Sequence, residues 1–314
     1  MAGGLVALLD DIAALVKITA ASIDDIAAGA GRASTKAMGV VIDDAAVTPQ
    51  YVEGISPKRE LPIIWKIAVG SIRNKLVFIL PLALLLSQFA PWALTPILML
   101  GGCYLVFEGA EKLLEAAGIL RHHAEHGEAV RDEKSIIGAA VRTDLVLSAE
   151  IMVISLNEVA DQHFWMRTAI LVVIALLMTV AVYGAVGLIV KMDDLGLRLA
   201  QRDSKVSQSF GRGLVKAMPI IMSVLSKVGV IAMLWVGGHI LLTGLDELGW
   251  HAPYGFVHHL EDLVHHATGA FGAFLGWCVN TAFSCIAGIL VGTVLAFAIT
   301  AVKKARAKGG ATKH

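Results

Sequence analysis

Charge is scarce in this chain. Asp, Glu, Lys and Arg make up 17% of its 314 residues, and 26 basic side chains balance 26 acidic ones. A net charge of zero gives no case for nucleic acid as a partner. Cysteine is rarer still: Cys103, Cys278 and Cys285 are the three, all inside apolar runs. Cys278 and Cys285 are seven positions apart, about 10 Å along a helix and beyond the reach of a disulfide. They read as small buried hydrophobes. No Lys or Arg precedes Lys17, and Asp10-Asp11 interrupts the first apolar run, which argues against a signal peptide. A phosphate-binding loop, a dinucleotide fingerprint, a serine elbow and an HExxH metal motif are all missing. No catalytic residues are expected, nor any cofactor, and the chain is not read as an enzyme.

Hydrophobicity is what remains. Apolar residues make up 56% of the chain, and the mean hydropathy is +0.72. Those values exclude an ordinary soluble globule and a disordered chain. The expected fold is an all-α polytopic membrane bundle. A spanning helix needs about 20 apolar residues, and six stretches qualify: 68–88, 93–113, 138–160, 168–190, 219–244 and 277–302. Residues 1–60 form an N-terminal amphipathic helical region, 61–304 the transmembrane bundle and 305–314 a basic tail. The uncharged run from Ala267 to Val302 exceeds one straight crossing; its first part is open to a tilted, interfacial or re-entrant path.

Lys and Arg fall on one side. Arg121, Arg131 and Lys134 follow the second stretch, and Arg198, Arg202, Lys205 and Arg212 follow the fourth. Residues 245–269 contain neither. The positive-inside rule then places both termini in the cytoplasm. Trp92, Trp165, Trp250 and Tyr254 fall near the outer interface as an aromatic belt.

The chain also echoes itself. Gly101-Gly102 recurs as Gly237-Gly238, and His122-His123 as His258-His259, both offset by 136 positions. Gly138-x-x-Val141-x-Thr143 recurs as Gly276-x-x-Val279-x-Thr281. Spans one to three and four to six would run in opposite senses, an inverted repeat common in transporters.

Polar residues supply the candidate sites. Acidic pairs occur at Asp10-Asp11, Asp24-Asp25, Asp43-Asp44 and Asp193-Asp194. They suit a cation entrance or, more plainly, caps and polar faces of cytoplasmic helices. Glu150 falls near the middle of the third span, where an ionisable group is costly and points to function. Lys227 in the fifth span is its expected partner, or snorkels to the interface. A second polar set near the cytoplasmic ends (Arg73, Lys75, Glu108, Glu111, Lys112, Arg142, Asp144) suits pairing between helices. Asn280 and Thr281 are expected to face a polar cavity beside Glu150, and Asp144 joins Glu150, Lys227, Asn280 and Thr281 in the candidate ion or proton pathway. His258, Asp262 and His265 share one helical face, and His259, Asp262 and His266 make a similar set of metal-competent ligands. Gly272, Gly276, Asn280, Ser284, Gly288 and Gly292 make a small-residue ridge suited to helix packing.

The blocks LLDDIA, RELPIIWKIAVGS, FILPLALLL, PWALTPILMLGG, FEGAEK, AVRTDLVLSAEI and VKMDDLG resemble the YedI-like family of bacterial inner-membrane proteins (domain of unknown function 808). The resemblance covers nearly the whole chain. It implies a bacterial inner-membrane location and no activity. The expectation is a small secondary transporter or channel-like permease for an ion or small solute, with proton coupling through Glu150. Its partners are the lipid bilayer and that solute, with a homo-oligomer left open. The alternative is a non-transporting membrane scaffold or assembly factor; a membrane-embedded metal enzyme rests only on the histidine segment.

Overall fold

Backbone amides cannot hydrogen-bond to lipid, so a spanning segment must satisfy them internally, and a helix does so within one segment. The computed structural model is all-helical over the residues it describes: 22–35, 37, 44, 47–51, 57–119, 133–202, 204–268 and 271–310. Asp10, Asp11 and Asp43 lie outside them. Helix α1 covers 22–35. Helix α2 (Pro57–Arg73), a π-helical segment (Asn74–Ile79) and α3 (Leu80–Phe89) follow one another without a break. A tight turn at Pro91–Ala93 leads into α4 (Leu94–Ala116). Then come α5 (Glu133–Glu158), α6 (Phe164–Val190), α7 (Met192–Ala200), α8 (Lys205–Glu247), α9 (Ala252–Thr268) and α10 (Gly272–Gly310).

Among the described residues, five helical rods are long and apolar enough to cross a bilayer: Arg59–Phe89, Pro91–Ala116, Phe164–Val190, Lys205–Glu247 and Gly272–Val302. The remaining predicted stretch, 138–160, the third along the chain, is helical as α5. Its 26 residues would reach about 39 Å, but Arg142, Asp144 and Glu150 make it too polar to join that set. The reason is its surroundings. Leu147, Ser148, Glu150, Ile151 and Met152 are all buried, and so close a run cannot share one face. Helix α5 is walled by α2, α4 and α6, so much of its surface needs no lipid-compatible side chains. The uncharged run after Ala267 divides between the end of α9 and the start of α10, with α9 packed back on α10.

Two units make up the bundle. Helices α4, α8 and α10 pack closely, with α9 on α8 and α10 and α7 on α8. The α2–α3 rod, α5 and α6 form the other around Ile67, Ile151, Met152, Leu171, Ile174 and Met178. The α4–α5 contact joins them, as do α3 on α4, α6 on α7 and the short Thr48–Tyr51 helix, which touches α8, α5 and α6.

Glycine sets the spacing in the first unit. The two echoed Gly-Gly pairs meet each other: a Cβ on Gly237 would stand 2.8 Å from the Gly102 carbonyl oxygen, and one on Gly102 3.1 Å from that of Gly237. A Cβ on Gly238 would overlap the Ser284 carbonyl oxygen, and one on Gly288 that of Leu234. The small-residue ridge of α10 therefore faces α9 at Gly272 and Gly276, α8 at Ser284 and Gly288, and α4 at Gly292, while Ile286, Leu290, Val294 and Phe297 are exposed on its other faces. An apolar surface of that extent suits lipid, not water. Contact of α2 with α6 and of α4 with α8 is compatible with a twofold between halves, but α2 on α5 and α4 on α10 have no counterparts in α6 on α10 and α8 on α5.

Candidate functional site

Pro81 has no N–H to give and its ring crowds the preceding turn. Just before it the first rod widens: the Leu80 N–H reaches five residues back to the Lys75 carbonyl. Such π segments recur at functional sites. This one carries Asn74 and Lys75, both buried although they sit mid-rod in an apolar helix. Lys75 is 14 residues from Phe89, about 21 Å along the axis.

Lys75 faces Asp144 of α5. Their side chains are 1% and 3% exposed, with Nζ 3.4 Å from Oδ1. Lys75 also donates to the Ser71 hydroxyl one turn earlier. Ser71 Oγ donates to Asp144 Oδ1 at 2.9 Å, and Tyr183 Oη of α6 donates to the same oxygen at 2.8 Å. Every one of these donors converges on Oδ1. Oδ2 is buried without a hydrogen-bond partner among the described residues. Asp44 is also buried and lies within electrostatic range of Tyr183. Asn74 closes the side of the site by donating its amide to the Val141 carbonyl at 3.2 Å.

The polar region continues along the α4–α5 contact. Thr143 Oγ1 donates to Glu108 Oε2 at 2.9 Å, and Lys112 Nζ donates to Glu108 Oε1 at 2.9 Å. The predicted pairing across helices is thus present for Lys75 with Asp144. At the start of α5, Glu133 is held below the usual carboxylate range, first by its hydrogen bond from Lys66 and then by that from Arg59.

The other predicted residues lie elsewhere. Glu150 is buried on α5 as expected. Lys227 is exposed on α8, and α5 and α8 do not pack on each other, so the expected Glu150–Lys227 pair does not form. Asn280 and Thr281 are half-buried on α10, and α10 does not touch α5 either. Asn280 instead donates to Glu261 of α9 at 2.9 Å. Ser284 donates to its amide oxygen at 3.4 Å.

Asp24 and Asp25 are exposed on α1. Asp194 pairs with Lys191, and the side chain of Asp193 lies outside the described residues. On α9, His258 Nδ1 is 3.1 Å from Asp262, and the rings of His265 and His266 meet edge to face. Neither they nor His259 converge: among the described residues no three His, Cys, Asp or Glu side chains come together as metal ligands.

Sequence reasoning missed Ser71, Asn74 and Tyr183. A signal was available for the first two. Ser71 and Lys75 stand four apart on one helical face, and Pro81 marks the turn that would be disturbed. Tyr183 carries no such mark, because an aromatic residue in an apolar helix reads as core.

No curated protein and no solved structure matches the chain. A family model described as "Protein of unknown function (DUF808)" matches residues 3–298, nearly the whole length, and the chain belongs to that family.

Proposed function

We propose that the chain is a small ion or solute permease of the bacterial inner membrane in which Asp144 and Lys75 form the coupling pair. The observation that carries this reading is a lysine and an aspartate, both almost wholly buried, in the middle of a lipid-facing bundle. Taking two charges out of water costs several kcal/mol per ion. A purely structural contact there would be cheaper if it were apolar. Asp144 Oδ2 keeps its lone pairs open to a proton or a small cation, while Oδ1 stays anchored to Ser71 and Tyr183. Binding at Oδ2 weakens the hold of Asp144 on Lys75, and that loosens α2 from α5. Asp144 takes the coupling role that the sequence alone gave to Glu150.

Both termini lie in the cytoplasm if α5 is the sixth crossing, as its length and the placement of Lys and Arg favour. The halves are read as inverted repeats; the reciprocal meeting of Gly102 and Gly237 supports this.

The second reading, a non-transporting scaffold, is favoured by how tightly the pair is sealed. Proteoliposomes holding a pH-sensitive dye separate the two. Under imposed Na⁺, K⁺ and potential gradients, wild type is expected to move protons or cations, and Asp144→Asn to stop the movement while the protein stays folded. Equal traces for wild type, Asp144→Asn and empty liposomes would leave the scaffold reading standing.

A further inference from the structure

The buried pair has a neighbour on its lipid side. A crevice of about 430 Å³ runs between the first rod, α4 and α5. Its rims, Phe78, Leu82 and Ile97, are exposed on the membrane-facing surface. Its back is one face of α5, made by Leu145, Ala149 and Val153 at four-residue spacing. Asp144 and Ser148 are buried on the adjoining face of the same helix. Asn74 is the one polar residue in the lining, and its amide is already committed to Val141.

The dimensions choose the occupant. The crevice extends along the first rod from Asn74 to Leu86, 12 residues or about 18 Å. One leaflet of hydrocarbon is about 15 Å thick, half of a 30 Å core. The Leu86 end lies beside the Pro91–Ala93 turn, where this rod leaves the apolar region. A volume of this size with an apolar lining falls in the range of built ligand sites. We propose that the crevice is a binding site for one acyl chain of a bilayer phospholipid, with the headgroup at the Pro91 turn and the chain end against Asn74. The chain keeps the lipid-facing side of the Asp144–Lys75 site dry. The site rests on the membrane placement and not on transport, so a failed flux assay would leave it intact.

Photo-crosslinking of the full chain in nanodiscs tests it. The probe is a phosphatidylglycerol carrying a diazirine midway along one chain; a diazirine fatty acid serves as the second arm. Adducts mapped by mass spectrometry are expected on Leu82, Leu86, Leu98 and Ala149, several-fold above those on Leu290 and Val294, both exposed on α10. Ala149→Phe, which fills the crevice, is expected to bring them down to the α10 level without changing the α10 adducts. Leu82→Trp, at an exposed rim, should do the same with no disturbance of the core. Labelling spread evenly over lipid-facing residues, labelling indifferent to both variants, or labelling by the fatty acid alone would each overturn the proposal.

Discussion

Lys75→Met is expected to lower the unfolding free energy in detergent micelles by about 3–5 kcal/mol, the cost of leaving one partner of a buried ion pair uncompensated. Asp144 would keep the donors Ser71 and Tyr183 on Oδ1 but lose its only cation within ion-pair distance among the described residues. Adding Asp144→Asn should recover most of that loss. The neutral amide oxygen still accepts from Ser71 and Tyr183, and methionine fills the lysine stem's space. The non-additivity of the two changes is the signature of direct coupling. Arg59, by contrast, meets Glu133 at the exposed start of α5, and its removal should matter little because exposed pairs are screened by solvent. A Lys75→Met protein within about 1 kcal/mol of wild type, the size of an average substitution, would contradict a direct charge pairing of Lys75 with Asp144.

Gly238→Ala and Gly288→Ala are expected to be the most disruptive single-methyl changes in the molecule. In each the new methyl would meet a backbone carbonyl of the neighbouring helix, Ser284 or Leu234. A side chain could rotate away; a carbonyl held in its own helix cannot. Ordinary overpacking costs about 1–3 kcal/mol, and parting α8 from α10 should place these variants at or beyond the top of that range. Lipid offers no hydrophobic drive to bring the helices back together, so close packing is most of what holds them. Gly184→Ala is the control. Nothing lies within 4 Å of its Cβ position on α6, and in a helix interior alanine should gain about 0.5–1 kcal/mol. Thermal unfolding of the three variants in one detergent gives the comparison; a Gly238→Ala protein as stable as Gly184→Ala would contradict the packing described for α8 and α10.

The apolar runs were legible because lipid solvation demands length and hydropathy, and both are properties of consecutive residues. The burial of Glu150 was legible too, since an ionisable group inside a long apolar stretch needs shelter; Lys75 was read only as one of a polar set near the cytoplasmic ends. The direction in which a side chain points across the bundle was not. Glu150 and Lys227 suited each other by depth, yet their helices belong to different units. Lys75 meets Asp144 from the same helical face as Ser71, four residues earlier, but which neighbouring helix that face meets is not written in the spacing. Asn280 turned to Glu261 because α9 folds back on α10, which depends on the chain reversing near Gly272. The Gly-Gly echo and the ridge on α10 were legible, since close backbone approach leaves no choice but small residues. Helix α5 was the hardest to read. Its charges look like a fault in a spanning segment until the helices that wall it are known.

Everything proposed for Asp144 depends on α5 crossing the bilayer inside that wall. With Cys103, Cys278 and Cys285 replaced, single cysteines at Ile119 (before α5) and Asp161 (after it) can be labelled with a membrane-impermeant maleimide in sealed vesicles. The account predicts labelling from opposite sides, with Ile119 protected wherever Asp161 reacts. Labelling of both from the same side would mean that α5 does not cross, and that Asp144 is not a charge held within the membrane.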